Sequence, residues 1–446
     1  MADNTLTTWA AFLLEKQGHV YEVFPSEAPF LAEMSGYDAA AQKVDHHSTV
    51  RRITKAMDTG REIFSGKYVK HAIIKSGLPG AGQVKEASTW NVPHVLPTTE
   101  AHINLVRTLV PFSTTVDAER DSMDVSMATA VEALIDQSRS ACARVENLQM
   151  LGDGTGLIAT VTDSATSLTT TVATTSNWDV LLPGTVWDLL TITTGADPGQ
   201  GLRRKIDSVV ESTGVITWST TSQASDGGSG NIVHAATTGI YIPGSWSNGT
   251  AGTDTAPGAL CGQGLAQVAA TTGTFETIDK AGAGNGFWQG TDGRAGDTTS
   301  LPLSVQMLDA AVRRGRRAGL GKWDFGIGDP AAIDLFKQTL YASVRYDSQV
   351  STLKSGFSGI VYDGADAPFP LIKEPMSPKL VVRLIDKASF QIYGDNPGPS
   401  FLQDDGAIFR RFNRNLTKEA DLLDRWQLGV GKCNTLVTIG NLAQAS

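Results

Sequence analysis

Cysteine is scarce: Cys142, Cys261 and Cys433 lie far apart in 446 residues, with no CxxC pair among them. That excludes a disulfide framework and reads as reduced, packed thiols in a cytosolic setting. Positive charge is also short. Lys+Arg 37 against Asp+Glu 46 leaves a formal charge of −9 and a pI near 5.3. A dedicated nucleic-acid binder usually carries the opposite excess. Net charge says little about one face, however, so a surface lining a space that holds DNA stays open. No apolar run approaches the ~18 residues of a membrane helix. The first residues, MADNTLTTWAAFLLEKQ, place Asp3 before the apolar patch and no basic leader. No signal peptide is expected, and the chain is expected to be soluble and used inside a cell.

The residues of common active sites are missing too. The seven histidines, His19, His46, His47, His71, His94, His102 and His234, form no HExxH and no ligand spacing. The adjacent pair His46-His47 reads as a solvated turn. Gly77 to Gly82 (GLPGAG) lacks the Lys-Ser/Thr of a phosphate-binding loop, and Gly282 to Gly286 follows no clear strand. No GxSxG elbow or kinase set occurs. Asp404 and Asp405 precede Gly406, a pattern better explained by a turn than by acid–base work. The expectation is no enzyme: no catalytic residue, no cofactor-binding residue, no metal ligand and no cofactor.

What is present begins with Asp117 to Leu151, the longest run without Gly or Pro. Met127, Val131, Leu134, Cys142, Val145 and Leu148 recur at helical spacing. Asp117, Glu119, Asp121 and Asp124 sit where a helix N-terminus favours carboxylates, and Gly152 is a stop signal. The spacing predicts one helix of roughly 50 Å at about 1.5 Å per residue, more girder than active-site wall.

Residues 1–59 read as an arm, with a short helix at Leu6 to Gln17 and apolar residues at Tyr21 to Phe24 and Phe30-Leu31 suited to docking on a neighbouring subunit. Tyr68 to Lys75 and Ala101 to Val110 read as two strands of an extended loop. On the return strand Ile103, Leu105 and Leu109 alternate with His102, Asn104 and Thr108. A two-stranded excursion is not stable alone, which points to a partner surface. Residues 155–255 form a Thr/Ser/Gly-rich island in which only Arg203, Arg204 and Lys205 are basic. Its strand signals, Val186 to Ile192, Lys205 to Val210, Val215 to Trp218 and Ile240 to Ile242, predict an inserted sandwich or barrel.

The remainder reads as two helices on a mostly antiparallel sheet. One helix opens at Ser300-Leu301-Pro302 and ends in Arg313, Arg314, Arg316 and Arg317; the other follows Asp329-Pro330, with Ile333, Phe336 and Leu340 on one face. Strands are expected at Ile360 to Tyr362, Leu380 to Leu384, Phe390 to Tyr393, Ala407 to Arg411, Arg425 to Val430 and Thr435 to Ile439. Arg410, Arg411 and Arg414 form a second basic group, read equally well as a phosphate or acidic-partner contact and as a solvated strand edge. The tryptophans Trp90, Trp187, Trp218, Trp246, Trp288, Trp323 and Trp426 are too dispersed for a stacking platform.

In this order the parts resemble the major capsid proteins of tailed bacteriophages, a fold shared with encapsulins and the herpesvirus capsid floor. The likeness is carried by Leu151-Gly152-Asp153-Gly154-Thr155-Gly156 directly after the helix, and by the closing strands Phe390 to Tyr393, Gly406 to Arg411 and Asn434 to Asn441. It implies an α+β fold with an N-terminal arm (1–59), an extended β-hairpin loop (60–113), a peripheral domain's spine helix (114–154), an inserted all-β domain (155–255), and an axial domain with returning peripheral strands (256–446). The implied function is a major head protein, self-assembling into hexamers and pentamers of an icosahedral shell around double-stranded DNA. Implied partners are other copies, a separate scaffolding protein, a portal, a decoration protein on the outside, and DNA contacted non-specifically on the inner face, with no membrane. The implied location is the virion, after assembly in the host bacterial cytoplasm. The insertion is a departure whose role stays open. Lys67, Lys70, Lys75 and Lys85 lie in the loop, but none aligns with the lysine that some members cross-link to a neighbour. The alternatives are an encapsulin-type compartment and a secreted carbohydrate-binding or hydrolytic β protein; the insertion and length weigh against the first, the leaderless start against the second.

Overall fold

The computed structural model describes residues 28–35, 37–38, 40, 43–44, 51–53, 62–64, 68–75, 98–115, 126–173, 176–192, 201–222, 230–245, 261–319, 321–343, 350–352, 358–363, 368–396, 398–403, 410–411 and 417–443. Five α-helices lie within them: α1 (Pro29–Ser35), α2 (Ser126–Leu151), α3 (Leu265–Ala269), α4 (Val305–Gly319) and α5 (Pro330–Ser343). The expected girder is α2, 26 residues and thus about 39 Å long. The expected lead-in from Asp117 lies outside the described residues.

Two large sheets flank the middle of the chain. In the first, Thr417–Val430 is the spine: Val106–Thr115 pairs antiparallel along one edge, and Phe390–Gly394 pairs with its last five residues on the other. Arg51–Ile53 joins as a parallel edge strand beside Phe390–Gly394. The second sheet has seven strands, in the order Thr291–Asp292, Val437–Ile439, Val382–Ile385, Phe325–Gly328, Phe369–Lys373, Ser358–Tyr362 and Val350–Thr352. Its outermost pair and the Phe325–Phe369 pair are parallel and the rest antiparallel, so the mostly antiparallel expectation holds. Leu308, Ala311 and Val312 of α4 and Ala332 and Phe336 of α5 share a core with Leu371, Val382, Leu384 and Val437 of this sheet.

The hairpin pairs Tyr68–Ile74 with Thr98–Asn104 in continuous antiparallel register, from Tyr68↔Asn104 to Ile74↔Thr98. The sequence reading sent it to a partner's surface. Instead its base lies on its own body: Val69 and Ile103 pack with Tyr393, while Ile73 and Ala101 enter the main core. The loop it carries, 76–97, is outside the described residues. A second correction concerns the return strand. Pairing breaks at Leu105, which shifts the period-two phase, so Thr108 turns inward and Leu109 is 51% exposed. Thr108 then takes the Trp426 indole N–H at 3.1 Å.

The arm reading is corrected in the same direction. All seven residues of α1 are buried, and Phe30, Leu31 and Met34 join Ala143, Met150 and Leu151 of α2 in the main core. The helix proposed at Leu6 to Gln17 lies outside the described residues. At the other end of the chain, α4 starts at Val305 rather than near Pro302. Ser304 is its cap, with Oγ accepting from Met307 N at 3.3 Å, while Leu301 is bridged to Leu442.

The Thr/Ser/Gly-rich island folds as an antiparallel six-stranded sheet, in the order Thr169–Thr171, Val215–Ser222, Arg204–Val210, Val186–Thr191, Thr238–Tyr241 and Leu157–Thr160. A separate two-stranded piece joins Ala165–Ser167 to Ile232–His234. Trp187, Trp218, Ile206, Ile216 and Ile240 fill its core, and Leu148 of α2 closes one side. The Ile242 amide donates to the Gly156 carbonyl at 3.0 Å, so the chain leaves the insertion beside the point where it came in.

Candidate functional site

The last turn of α2 is the point at which the fold is fastened. From Glu146 to Leu151 every residue is buried, three of them polar. Such groups need partners in the interior. Glu374, at the end of Phe369–Lys373, supplies one set. Its Oε1 accepts from Asn147 Nδ2 at 3.1 Å and from the Met376 amide at 3.3 Å, and its Oε2 accepts from the Phe30 amide at 3.0 Å. One carboxyl therefore joins α1, α2 and the seven-stranded sheet. Burial pushes its pKa up, partly offset by those donors.

Arg383, on the central strand Val382–Ile385, supplies the other. Its Nη1 donates to the Leu151 carbonyl at 3.0 Å, and burial lowers its pKa to about 10. A cation at a helix C-terminus suits the dipole and satisfies a carbonyl that the helix cannot. The insertion is fixed to the same place: Asn177 Nδ2 donates to the Pro375 and Ser377 carbonyls at 2.9 Å each, and Arg144 Nη2 donates to Val180 O at 2.7 Å.

The LGDGTG segment makes the turn out of α2. Asp153 Oδ1 accepts from the Thr155 amide at 2.9 Å and its hydroxyl at 2.6 Å, and Gly154 and Gly156 hold φ of +84° and +74°, which favour glycine. Gly264, just before α3, presses on this turn: a Cβ there would sit 2.2 Å from Gln149 O and 2.6 Å from Met150 O. A small apolar cavity remains between the turn and the insertion, lined by Leu148, Gly154, Leu157, Val180, Ile242 and Met376.

Other singled-out residues scatter. Arg314 donates to Gly293 O at 2.6 Å and Arg313 to Asp309 O at 3.2 Å, within the α4 neighbourhood. Arg410 and Arg411 pair with Glu419 and Lys418 in the first sheet. Trp187, Trp218, Trp288, Trp323 and Trp426 are all core residues. Gly282 to Gly286 is a turn tied by Asn285 to Asp279 O at 2.7 Å. The pair His46-His47, the Gly77 to Gly82 loop and Asp404-Asp405 lie outside the described residues. Among the described residues no group of three or more His, Cys, Asp or Glu is placed to hold a metal ion. Sequence reasoning passed over Glu374 and Arg383. A charge inside an apolar strand, as in Val381-Val382-Arg383-Leu384-Ile385, was the available signal.

No protein-family model matches the chain, and no curated protein matches it. Solved structures do resemble it, among them phage capsids and gene-transfer-agent capsids. The capsid asymmetric unit of cyanophage A-1(L) is 10% identical, with 85% of this chain and 89% of that chain covered at a TM-score of 0.48. Mycobacterium phage Adephagia is 12% identical over 86% and 87%, at 0.39. The holo-SrpI encapsulin complex from Synechococcus elongatus PCC 7942 is 16% identical over 41% and 59%, at 0.27.

Proposed function

We propose that this chain is a shell subunit, the major capsid protein of a tailed double-stranded DNA phage, which self-assembles into hexamers and pentamers of an icosahedral head. The observation that carries the reading is the fastening at the end of α2. A 26-residue rod is locked at one end to the mixed sheet, the arm helix and the insertion through Glu374, Arg383 and Asn177. Its other half lies along the long ribbon of Val106–Thr115 and Thr417–Val430, packing Ile135 and Cys142 on Ala420 and Leu422. A tile needs such a stiff frame, with projections that reach its neighbours through head-to-tail contacts closing into rings. The order of arm, hairpin, rod, LGDGTG turn and closing strands supports the same reading.

In this reading the 76–97 loop laps a neighbouring subunit, a separate scaffolding protein and a portal direct assembly, and DNA meets the inner face non-specifically. The test is expression of the full chain followed by size-exclusion chromatography and negative-stain microscopy. Closed shells are expected, and deletion of Ser76 to Pro93 should leave folded protein that forms none. A monomer under all conditions, or normal shells from the deletion, would overturn the respective claim. Protein cargo without DNA in native particles would move the assignment to a compartment shell.

A further inference from the structure

One buried cluster fastens the hairpin to the body. His71, on the inward face of Tyr68–Ile74, is 8% exposed, and its Nε2 lies 3.5 Å from Glu276 Oε2. Glu276 is buried in the turn after Thr274–Phe275. Its Oε1 accepts from the Val430 amide at 2.8 Å, and its backbone carbonyl accepts from the His102 amide at 3.2 Å. One residue therefore touches both hairpin strands and the long strand of the first sheet. It does so from a φ of +48°, followed by Thr277 at +68°, backbone that side chains other than glycine rarely adopt.

The charged neighbours are few. Lys280 is fully buried and donates to the carbonyls of Gln267, Val268 and Ala270 at 2.6, 2.6 and 2.9 Å, and the buried Cys433 thiol lies in the same electrostatic neighbourhood. Glu62, on the third strand, is the register partner of His71. Lys70, Glu100 and His102 stand on the hairpin's other face, where Glu100 meets Lys70 at 2.7 Å and His102 at 2.8 Å.

We infer that Glu276 and His71 form an acid-sensitive catch that holds the hairpin on the body and releases it when the pair takes up a second proton. Burial raises the Glu276 pKa well above the usual carboxyl range, so near neutrality a protonated carboxyl faces a neutral imidazole. The two groups then share one proton. An imidazole ordinarily gains its proton between about pH 8 and about pH 5. When it does so here, an imidazolium faces a carboxyl already protonated, with the Lys280 cation beyond and no carboxylate between them. Burying that charge without a counter-ion is costly, and the relief is to bring the imidazole to water. Lifting Tyr68–Ile74 does this and also breaks the bond from His102 N to Glu276 O. The catch is therefore closed above the ordinary imidazole range and opens as pH falls through it.

Hydrogen exchange read by mass spectrometry on the full chain tests this, at about pH 7.5 and about pH 5, corrected for intrinsic rates. Exchange in 68–74 and 98–104 is expected to quicken about tenfold or more in acid, while 325–328 and 382–385 hold steady. His71→Gln should abolish the response; His102→Gln and Glu62→Gln should keep it. If His71→Gln disturbs the 325–328 control, His71→Asn takes its place. No acceleration in the natural chain, acceleration that survives loss of His71, or acceleration abolished by Glu62→Gln each overturns the catch. The measurement reads the hairpin within one chain, so failure here leaves the shell reading untouched.

Discussion

The guanidinium of Arg383 meets the backbone carbonyl of Leu151 at 3.0 Å, so a cation from the centre of one sheet closes the end of the long helix. Replacing it should be felt at both. Arg383→Met keeps the apolar stem and removes the donor, leaving the last carbonyl of α2 without this partner in a dry site. A loss of about 1–3 kcal/mol is expected, the usual cost of an orphaned buried polar group. Urea denaturation followed by tryptophan fluorescence would register it, and an unchanged midpoint would show that the helix end does not depend on this donor.

Gly264 and Gln149 make a second such contact, this one through space rather than a bond. The Cβ of Gly264→Ala would lie 2.2 Å from the Gln149 carbonyl oxygen, and also within 2.7 Å of the Gly152 oxygen, all of it backbone. No rotamer change relieves that. The chain must pull α3 away from the turn, breaking the bond from Ala266 N to Gly152 O at 3.0 Å. The expected cost is about 1–3 kcal/mol, as for overpacking elsewhere. Thermal unfolding of the variant would show it, whereas Gly431→Ala, whose nearest neighbour would be 3.8 Å away, serves as the mild control.

How far these features were legible in the chain depends on which force dominates locally. Helix α2 could be read because its apolar spacing persists over many turns. The hairpin strands could be read for the same reason. The inward turn of Thr108 could not, because a single break at Leu105 inverts everything after it, and no residue type marks the break. Strand Phe325–Gly328 was missed because half of it is glycine. Gly326 is there for closeness: a Cβ would fall 2.5 Å from Leu371 and 3.2 Å from Leu384 of the flanking strands. The fastening at α2 was invisible for a different reason. Glu374 and Arg383 each act on residues more than two hundred positions away, and periodicity carries no information about such pairs.

Asp297 gives the pH dependence that can be signed most simply. The Thr299 amide, the Thr299 hydroxyl and Arg294 together hold its carboxyl down to about 2 from an ordinary 3.8. A carboxyl depressed on folding contributes stability above its unfolded value and loses it as pH falls through the folded one. The contribution is therefore complete above about pH 4 and disappears toward pH 2. Asp297→Asn should lower the unfolding temperature at pH 5 and converge with the natural chain near pH 2, seen by calorimetry across that range. The group is exposed, so the gap should be small. A gap that widens in acid would contradict the assignment.

Phe30 tests where the arm helix belongs. Its side chain is fully buried against Met150, Leu151 and the strand Phe390–Gly394, within one chain. If that seat is occupied in the isolated subunit, Phe30→Ala opens a cavity there and costs about 3–5 kcal/mol, as other buried Phe truncations do. The loss should appear in dilute, unassembled protein by urea denaturation. Glu33→Gln would weaken the same seat more gently, through the 2.7 Å contact from Lys387 Nζ to Glu33 Oε2. Unchanged stability of the dilute Phe30→Ala subunit, coupled with failure of its assembly, would instead put the arm helix on a neighbour. In that case the seat seen here would be filled by another copy's arm, and the subunit alone would have an open groove beside α2.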